Sequence, residues 1–299
     1  MSKATQRFGR WATAIAWAVL PLLAGPSFAD ALEGRSRGIQ VVAAVGLWVL
    51  WAVGMLASLV PSTLALLAIR VLAPASVAAA AWAALVVPDG ADAPEAVALG
   101  VTTLVAVIAL SAPVGDRFVN GSSYGDERRM PLRPPGVLLL GPIELTWLAV
   151  VAGTVAGPLL LAAKVWVAGV IVLVIGWTVA VIGLRSLHGL ARRWLVFVPA
   201  GVVVVDPMSI TDALLVQRQR VASMGPALAD TDGFDLTAGA IGLALEVRLT
   251  APETIVPAAN RLKGRGQVIE PFETGAILIA PSRPGWVLDE ARRRRLLVG

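Results

Sequence analysis

From Val137 to Leu184 the chain is apolar except for Glu144 and Lys164, and that single stretch leaves few folds open. A helix crosses a bilayer in roughly 20 apolar residues. This run is well over that length, so it must turn back on itself. The natural break lies between Gly157-Pro158 and Lys164, where a helix breaker is followed by a charge that favours the interface. Spans are expected over residues 138–158 and 165–184. Four earlier blocks have the same character, at 11–29, 39–60, 66–87 and 96–114. Arg70 and Pro74 interrupt the third, so residues 61–70 also read as an interfacial connector ahead of a span over 71–87. The composition agrees: 15% of residues are charged, against about a quarter in soluble domains, and mean hydropathy is +0.77.

With the N-terminus inside, the inner segments carry Lys3, Arg7, Arg10, Arg70, Arg117, Arg128, Arg129, Arg133, Arg185, Arg192 and Arg193. The outer segments carry only Arg35, Arg37 and Lys164. That asymmetry is the positive-inside pattern, and it places both the N-terminus and the segment after Leu184 in the cytoplasm of a plasma membrane. The outer loops hold Asp30, Glu33, Asp89, Asp92 and Glu95. Ser27-Phe28-Ala29 before Asp30 resembles a signal-cleavage site, a competing reading that leaves the other five orientations unchanged.

After Arg192 the texture changes to short β-rich runs separated by turns. WLVFV, Pro199-Ala200-Gly201 and VVVVD read as a hairpin. Further strands are expected at 213–217, 220–224, 241–249, 254–258 and 276–280, and a helix in PGWVLDEARRRRLL, with Pro284 at a first-turn position. The expected architecture is an α-helical membrane bundle of about six transmembrane helices in residues 1–190, a cytoplasmic loop at 115–136, and a small mostly-β domain in residues 191–299. RWLVFVPAGVVVVDP and the ending ILIAPSRPGWVLDEARRRRL resemble the pleckstrin-homology-like domains at the ends of uncharacterised actinobacterial multi-span membrane proteins. That resemblance covers about residues 192–299. It implies a PH-like barrel with a C-terminal helix, a bacterial source, and a binding or scaffolding role without catalysis. The lysines and arginines that grip inositol phosphates in eukaryotic PH domains are missing from the Pro199-Ala200-Gly201 turn, so lipid binding is not implied.

The polar segment GDRFVNGSSYGDERRMPLRPPG, residues 115–136, contains the only tyrosine, Tyr124. It lacks the Gly-Lys-Ser/Thr ending of a nucleotide loop. Tyr124, Arg128, Arg129 and Arg133 are candidates for contact with anionic lipid or with the β-domain. Glu144 is the one acid inside an apolar run, and intramembrane ionisable groups are functional candidates; an ion pair with Arg70 is one expectation and an inner-interface position another. Ala149, Gly153 and Gly157 place small residues on one helix face for close packing, within the bundle or in a homo-oligomer. His188 is the only histidine and reads as an interfacial residue. The tryptophans at 11, 147, 166 and 194 read as interface anchors.

The absence of cysteine excludes thiolate chemistry and disulfides, and one histidine excludes paired-imidazole sites. No catalytic residue, cofactor or metal set is recognised. The net charge of +5 is absorbed by topology, so nucleic acid is not an expected partner. Three function classes follow. The first is a non-enzymatic scaffold acting through its PH-like domain, with anionic lipids and a protein partner. The second is a small transporter or channel with Glu144 in the path, lined by threonines 102, 103, 146, 154 and 178. The third is a headgroup-level lipid-modifying enzyme with Asp116, Asp126 or Glu127 as base.

Overall fold

A computed structural model describes residues 3–87, 90, 92–228, 230–258 and 271–299, with side chains from Trp11 onward. Asp89 and the side chains of Lys3, Arg7 and Arg10 lie outside the described residues. The chain divides into two compact units, residues 1–121 with 145–185, and residues 122–144 with 186–299.

The first unit is helical: α1 (Lys3–Ala18), α2 (Leu20–Leu32), α3 (Arg37–Leu59), α4 (Thr63–Val86), α5 (Ala93–Leu110), α6 (Ala112–Val119), α7 (Pro142–Ala162) and α8 (Trp166–Leu190). Six segments are long and apolar enough to cross a membrane: Trp11–Leu32, which joins the end of α1 to α2, then α3, α4, α5, α7 and α8. This makes the chain a multi-pass membrane protein. Burial follows the same logic. Small residues such as Gly54, Ala57, Ala73, Ala80, Ala83, Ala98 and Ala109 are inside, while Val45, Trp48, Val49, Val170, Ile171 and Ile175 are exposed. Helices that meet through small residues and present large apolar ones outward suit lipid as solvent.

The helix ends have local causes. The Ser62 hydroxyl accepts from the Ala65 amide at 3.1 Å, so α4 begins at Thr63 and runs unbroken through Arg70 and Pro74. The alternative of a connector over 61–70 is therefore not what forms. Glu95 accepts from the Asp92 amide at 3.1 Å to start α5. The turn between the last two spans lies at Ala163–Val165, with Lys164 at φ 64, and Pro158 sits inside α7.

Proline in a helix removes a hydrogen bond to the carbonyl four residues back. For Pro158 that carbonyl belongs to Thr154, and the Trp177 indole N–H donates to it at 3.4 Å. Pro74 frees the Arg70 carbonyl in the same way, and the next carbonyl along, that of Val71, accepts from Trp147 at 3.0 Å. Neighbouring helices thus satisfy backbone groups that lipid cannot. Trp147, expected to be an interface anchor, instead ties α7 to α4. Trp17 and Trp51 form a reciprocal clasp between α1 and α3, each indole donating to the other's carbonyl at 2.8 and 3.1 Å.

The second unit is a small β domain. Its first sheet has the order β1-β2-β3-β4, from Arg128–Pro131, Trp194–Val198, Gly201–Val205 and Leu214–Gln217, all antiparallel. Its second has the order β5-β7-β8-β6, from Val221–Pro226, Leu245–Ile255, Phe272–Ile279 and Phe234–Asp235. The β6–β8 pair is parallel and the others antiparallel. The sheets also meet at isolated bridges, Leu132 to Pro281 and Ile210 to Pro257. The core between them contains Leu195, Phe197, Val202, Met224, Leu236, Leu245, Ile277 and Ile279, and α9 (Pro284–Arg293) adds Val287 and Ala291.

One strand comes from a segment that reads as a linker. β1 pairs with β2 from Arg128 opposite Phe197 to Pro131 opposite Trp194, and Met130 enters the core. The β domain therefore begins with the stretch between the fourth and fifth spans rather than at residue 191. RRMP hides this because Met130 is its only core-facing apolar side chain, too little for an alternation to register.

Candidate functional sites

Arg193 is the centre of the β domain. The sequence offers it as one more topological charge, yet its side chain is 1% exposed and that of Asp206 is fully buried. The guanidinium grips the carboxylate with two parallel bonds, Nε to Oδ1 at 2.9 Å and Nη2 to Oδ2 at 2.7 Å. It also donates to the carbonyls of Arg133 at 2.9 Å and Leu236 at 3.2 Å. Asp206 accepts in addition from the Met208 amide and the Ser209 hydroxyl. Every lone-pair direction of the carboxylate is in use, the condition under which a buried ion pair is tolerated. This cluster joins the residues after β1, before β2, after β3 and after β6. It leaves neither acid nor base free for chemistry.

Arg128, Arg129 and Arg133 all belong to the β domain. Arg128 and Arg129 are in β1, and the Arg129 guanidinium lies over the Trp194 ring at 5.4 Å while bonding Glu127 at 2.7 Å. Trp194 is thus a strand residue under a cation. Arg129 holds the Glu127 carboxyl below the usual carboxylate range, helped by the Tyr124 amide and opposed by partial burial. The Tyr124 side chain is 90% exposed. Of the acids weighed as bases, Glu127 is occupied in this way, Asp126 lends its carbonyl to Arg294, and Asp116 accepts from Asn120.

Arg70 and Glu144 fall in different units. Arg70 packs on Gly115, where a Cβ would come within 2.6 Å of its Nη2, and its buried Nε has no hydrogen-bond partner among the described residues. Glu144 lies exposed in the first turn of α7, where a carboxylate suits the helix N-terminus. Gly153 and Gly157 meet α8 closely: a Cβ at Gly153 would be 2.5 Å from the Gly176 carbonyl oxygen, and one at Gly157 would be 2.5 Å from Leu173 Cα. The same seam continues through Val150 and Thr146 against Gly183, while Ala149 is half-buried. Trp11 and Trp166 are exposed, as interface residues would be. The His188 Nδ1 is buried without a hydrogen-bond partner among the described residues. Among the described residues no group of three or more metal-ligating side chains forms.

A cleft of ≈ 390 Å³ opens beside the β2–β3 turn, lined by Val198, Pro199, Gly201, Arg218, Glu290, Arg293, Arg294, Asp126 and Leu296. The turn carries no basic residue, but the fold brings three arginines to it, one from the segment after β4 and two from the end of α9. Arg294 is fixed by Glu290 at 2.7 Å, by the Asp126 carbonyl and by the Phe197 ring at 5.8 Å. Arg293 also reaches Glu290, at 3.1 Å, from an exposed position. Arg218 is exposed. Sequence spacing gives no hint of this grouping, because Arg218 and Arg293 are joined only by the tertiary fold.

No family model, curated protein or solved structure matches the chain.

Proposed function

We propose that the chain is a non-enzymatic scaffold of a bacterial plasma membrane whose cytoplasmic β domain, of the PH-like kind, binds a protein partner. Two sheets closed by a C-terminal helix support the PH-like reading, and the positive-inside charge distribution supports the orientation. The observation that carries the binding role is the cleft beside the β2–β3 turn, where Arg218 and Arg293 stand exposed over a rigid floor made by Arg294, Glu290 and Phe197. Two exposed arginines beside fixed groups recognise an acidic or amide-rich segment without transforming it. A photo-crosslinker at position 218 of the full chain, in its native membrane, should give one discrete adduct that Arg293→Glu abolishes. Diffuse labelling unaffected by Arg293→Glu would contradict the reading.

A second reading, a small transporter, draws on Arg70, whose Nε is buried in a span without a hydrogen-bond partner among the described residues. It requires vesicle flux of an anion that Arg70→Gln removes. Equal flux in both forms excludes it. Anionic lipids and a second copy of the chain remain further partners of the scaffold reading.

A further inference from the structure

The β domain exposes large apolar side chains where its chain enters a membrane span. The 3₁₀ turn Gly136–Leu140 leads through Gly141 into α7, with Val137 73% and Leu140 80% exposed. Beside it stands the loop between β6 and β7. The Gly136 amide donates to the Gly239 carbonyl at 3.2 Å, and a Cβ at Gly136 would lie 3.2 Å from Ile241 Cγ1. Arg133 Nη1 donates to the carbonyls of Ile241 at 3.1 Å and Leu243 at 3.4 Å. Ile241 is nevertheless 67% exposed, and Leu243 is exposed too.

The loop holds a fixed shape. Asp235 accepts from the Thr237 amide at 2.7 Å, Thr237 accepts from Ala240, and Ala238, Gly239 and Gly242 take positive φ of 52, 67 and 110. A non-glycine residue at positive φ persists only where its surroundings impose it. A structured loop that displays isoleucine and leucine marks an interaction surface.

Chain continuity identifies the occupant. Gly136 is joined to Gly141 by five steps, at most roughly 10 Å at about 2 Å per residue in a 3₁₀ turn. The span begins at the next residue, Pro142. The polar zone on each side of a bilayer is about 5–8 Å thick, so Gly136, at most roughly 10 Å from the start of the span, sits in that zone or at its outer edge, and Ile241 is held against it. We propose that residues 239–243 form a membrane-dipping loop: Ile241 and Leu243 enter the lipid interface beside Val137 and Leu140, in the leaflet that α7 enters. Arg133 underpins the loop by fixing its two carbonyls. The proposal rests on α7 being a span and is independent of the partner reading.

The chain has no cysteine, so single labels are clean. Ile241→Cys, Val137→Cys and Leu215→Cys, the last an exposed position on β4, would each carry a nitroxide in the full chain. The protein would be reconstituted in phosphatidylcholine–phosphatidylglycerol vesicles. Relaxation by oxygen relative to a water-soluble nickel chelate should be at least about threefold higher at 241 and 137 than at 215. An Ile241 label with the same ratio as Leu215 overturns the proposal. So does a label shielded from both reagents, which would assign the loop to a protein neighbour. Hydrogen exchange over 194–205 checks that each labelled form is folded. If Ile241→Cys fails that check, Leu243→Cys replaces it and must meet the same threefold criterion.

Discussion

Asp206→Ala is the sharpest perturbation of the β domain. It removes both bonds from Arg193 and strips the Met208 amide and Ser209 hydroxyl of their acceptor, while the guanidinium keeps only the carbonyls of Arg133 and Leu236. Breaking a buried pair by deleting one partner costs about 3–5 kcal/mol, because the remaining charge is neither solvated nor compensated. Domains are stable by about 5–15 kcal/mol, so this one loses at least about a fifth of its stability. A loss of about 4 kcal/mol raises the opening equilibrium by roughly a thousandfold. Hydrogen exchange of the buried strands β2 and β3, measured on the full protein in nanodiscs, reads that change directly. The double variant Arg193→Met with Asp206→Leu removes both charges and should recover most of the protection, since apolar replacement of a buried pair is often neutral or stabilising. A loss below about 1 kcal/mol for Asp206→Ala, or a double variant no better than the single one, would refute the reasoning.

Three further outcomes follow from the same geometry. A fragment of residues 191–299 lacks β1 and the Arg133 carbonyl, so it should be aggregation-prone or unfolded, and fusing residues 122–140 to its N-terminus should restore cooperative unfolding; equal melting of both fragments would remove β1 from the fold. Gly153→Leu would drive a side chain into the Gly176 backbone, where even a Cβ stands at 2.5 Å, and should part α7 from α8. A cross-link between cysteines introduced at 154 and 177, which meet across the same two helices, should fall at least about tenfold, and an unchanged yield would show that the seam is not a packing contact. The Glu127 carboxyl has a lowered pKa in the folded state, so its interaction is present above the ordinary glutamate value of about 4.3 and is lost as pH falls through the lowered one. The Tyr124 amide, which donates to Glu127 at 3.2 Å, should titrate by NMR below about 4.3, and Glu127→Gln should abolish that titration.

The membrane part was legible because span length and apolarity are local properties. All six expected spans begin within four residues of a segment long and apolar enough to cross a membrane, and the fifth runs four residues further than expected, to Ala162. The turn falls at the Lys164 end of the expected break, because the backbone bond lost at Pro158 is made good by Trp177 from the next helix, a contact invisible along the chain. The hairpin of β2 and β3 was legible from its β-branched runs around a glycine turn, and β4, β5 and β8 from shorter runs of the same kind. β7 is longer than expected because it merges two runs that read as separate strands, with an irregularity between Arg248 and Glu253 absorbing the join.

The candidate sites were far less legible. Arg193 looked like Arg192 in sequence, and only the fold distinguishes a fully buried guanidinium from an exposed one. The signal that was present is the Asp206-Pro207 exit from β3, since an acid ending a buried strand needs a partner. β1 was hidden by its charge, because arginines that flank a sheet edge and arginines that enforce topology look alike until pairing is known.

The loop between the fourth and fifth spans is part of the β domain. Hydrogen exchange of the full protein measures this directly. The Leu132 amide donates to the Arg193 carbonyl at 3.0 Å and the Arg133 amide to the Ala280 carbonyl at 2.8 Å, so these two amides should be protected to the same degree as the bonded amides of 194–198. Exchange there at the rate of an open linker, with 194–198 still protected, would contradict it.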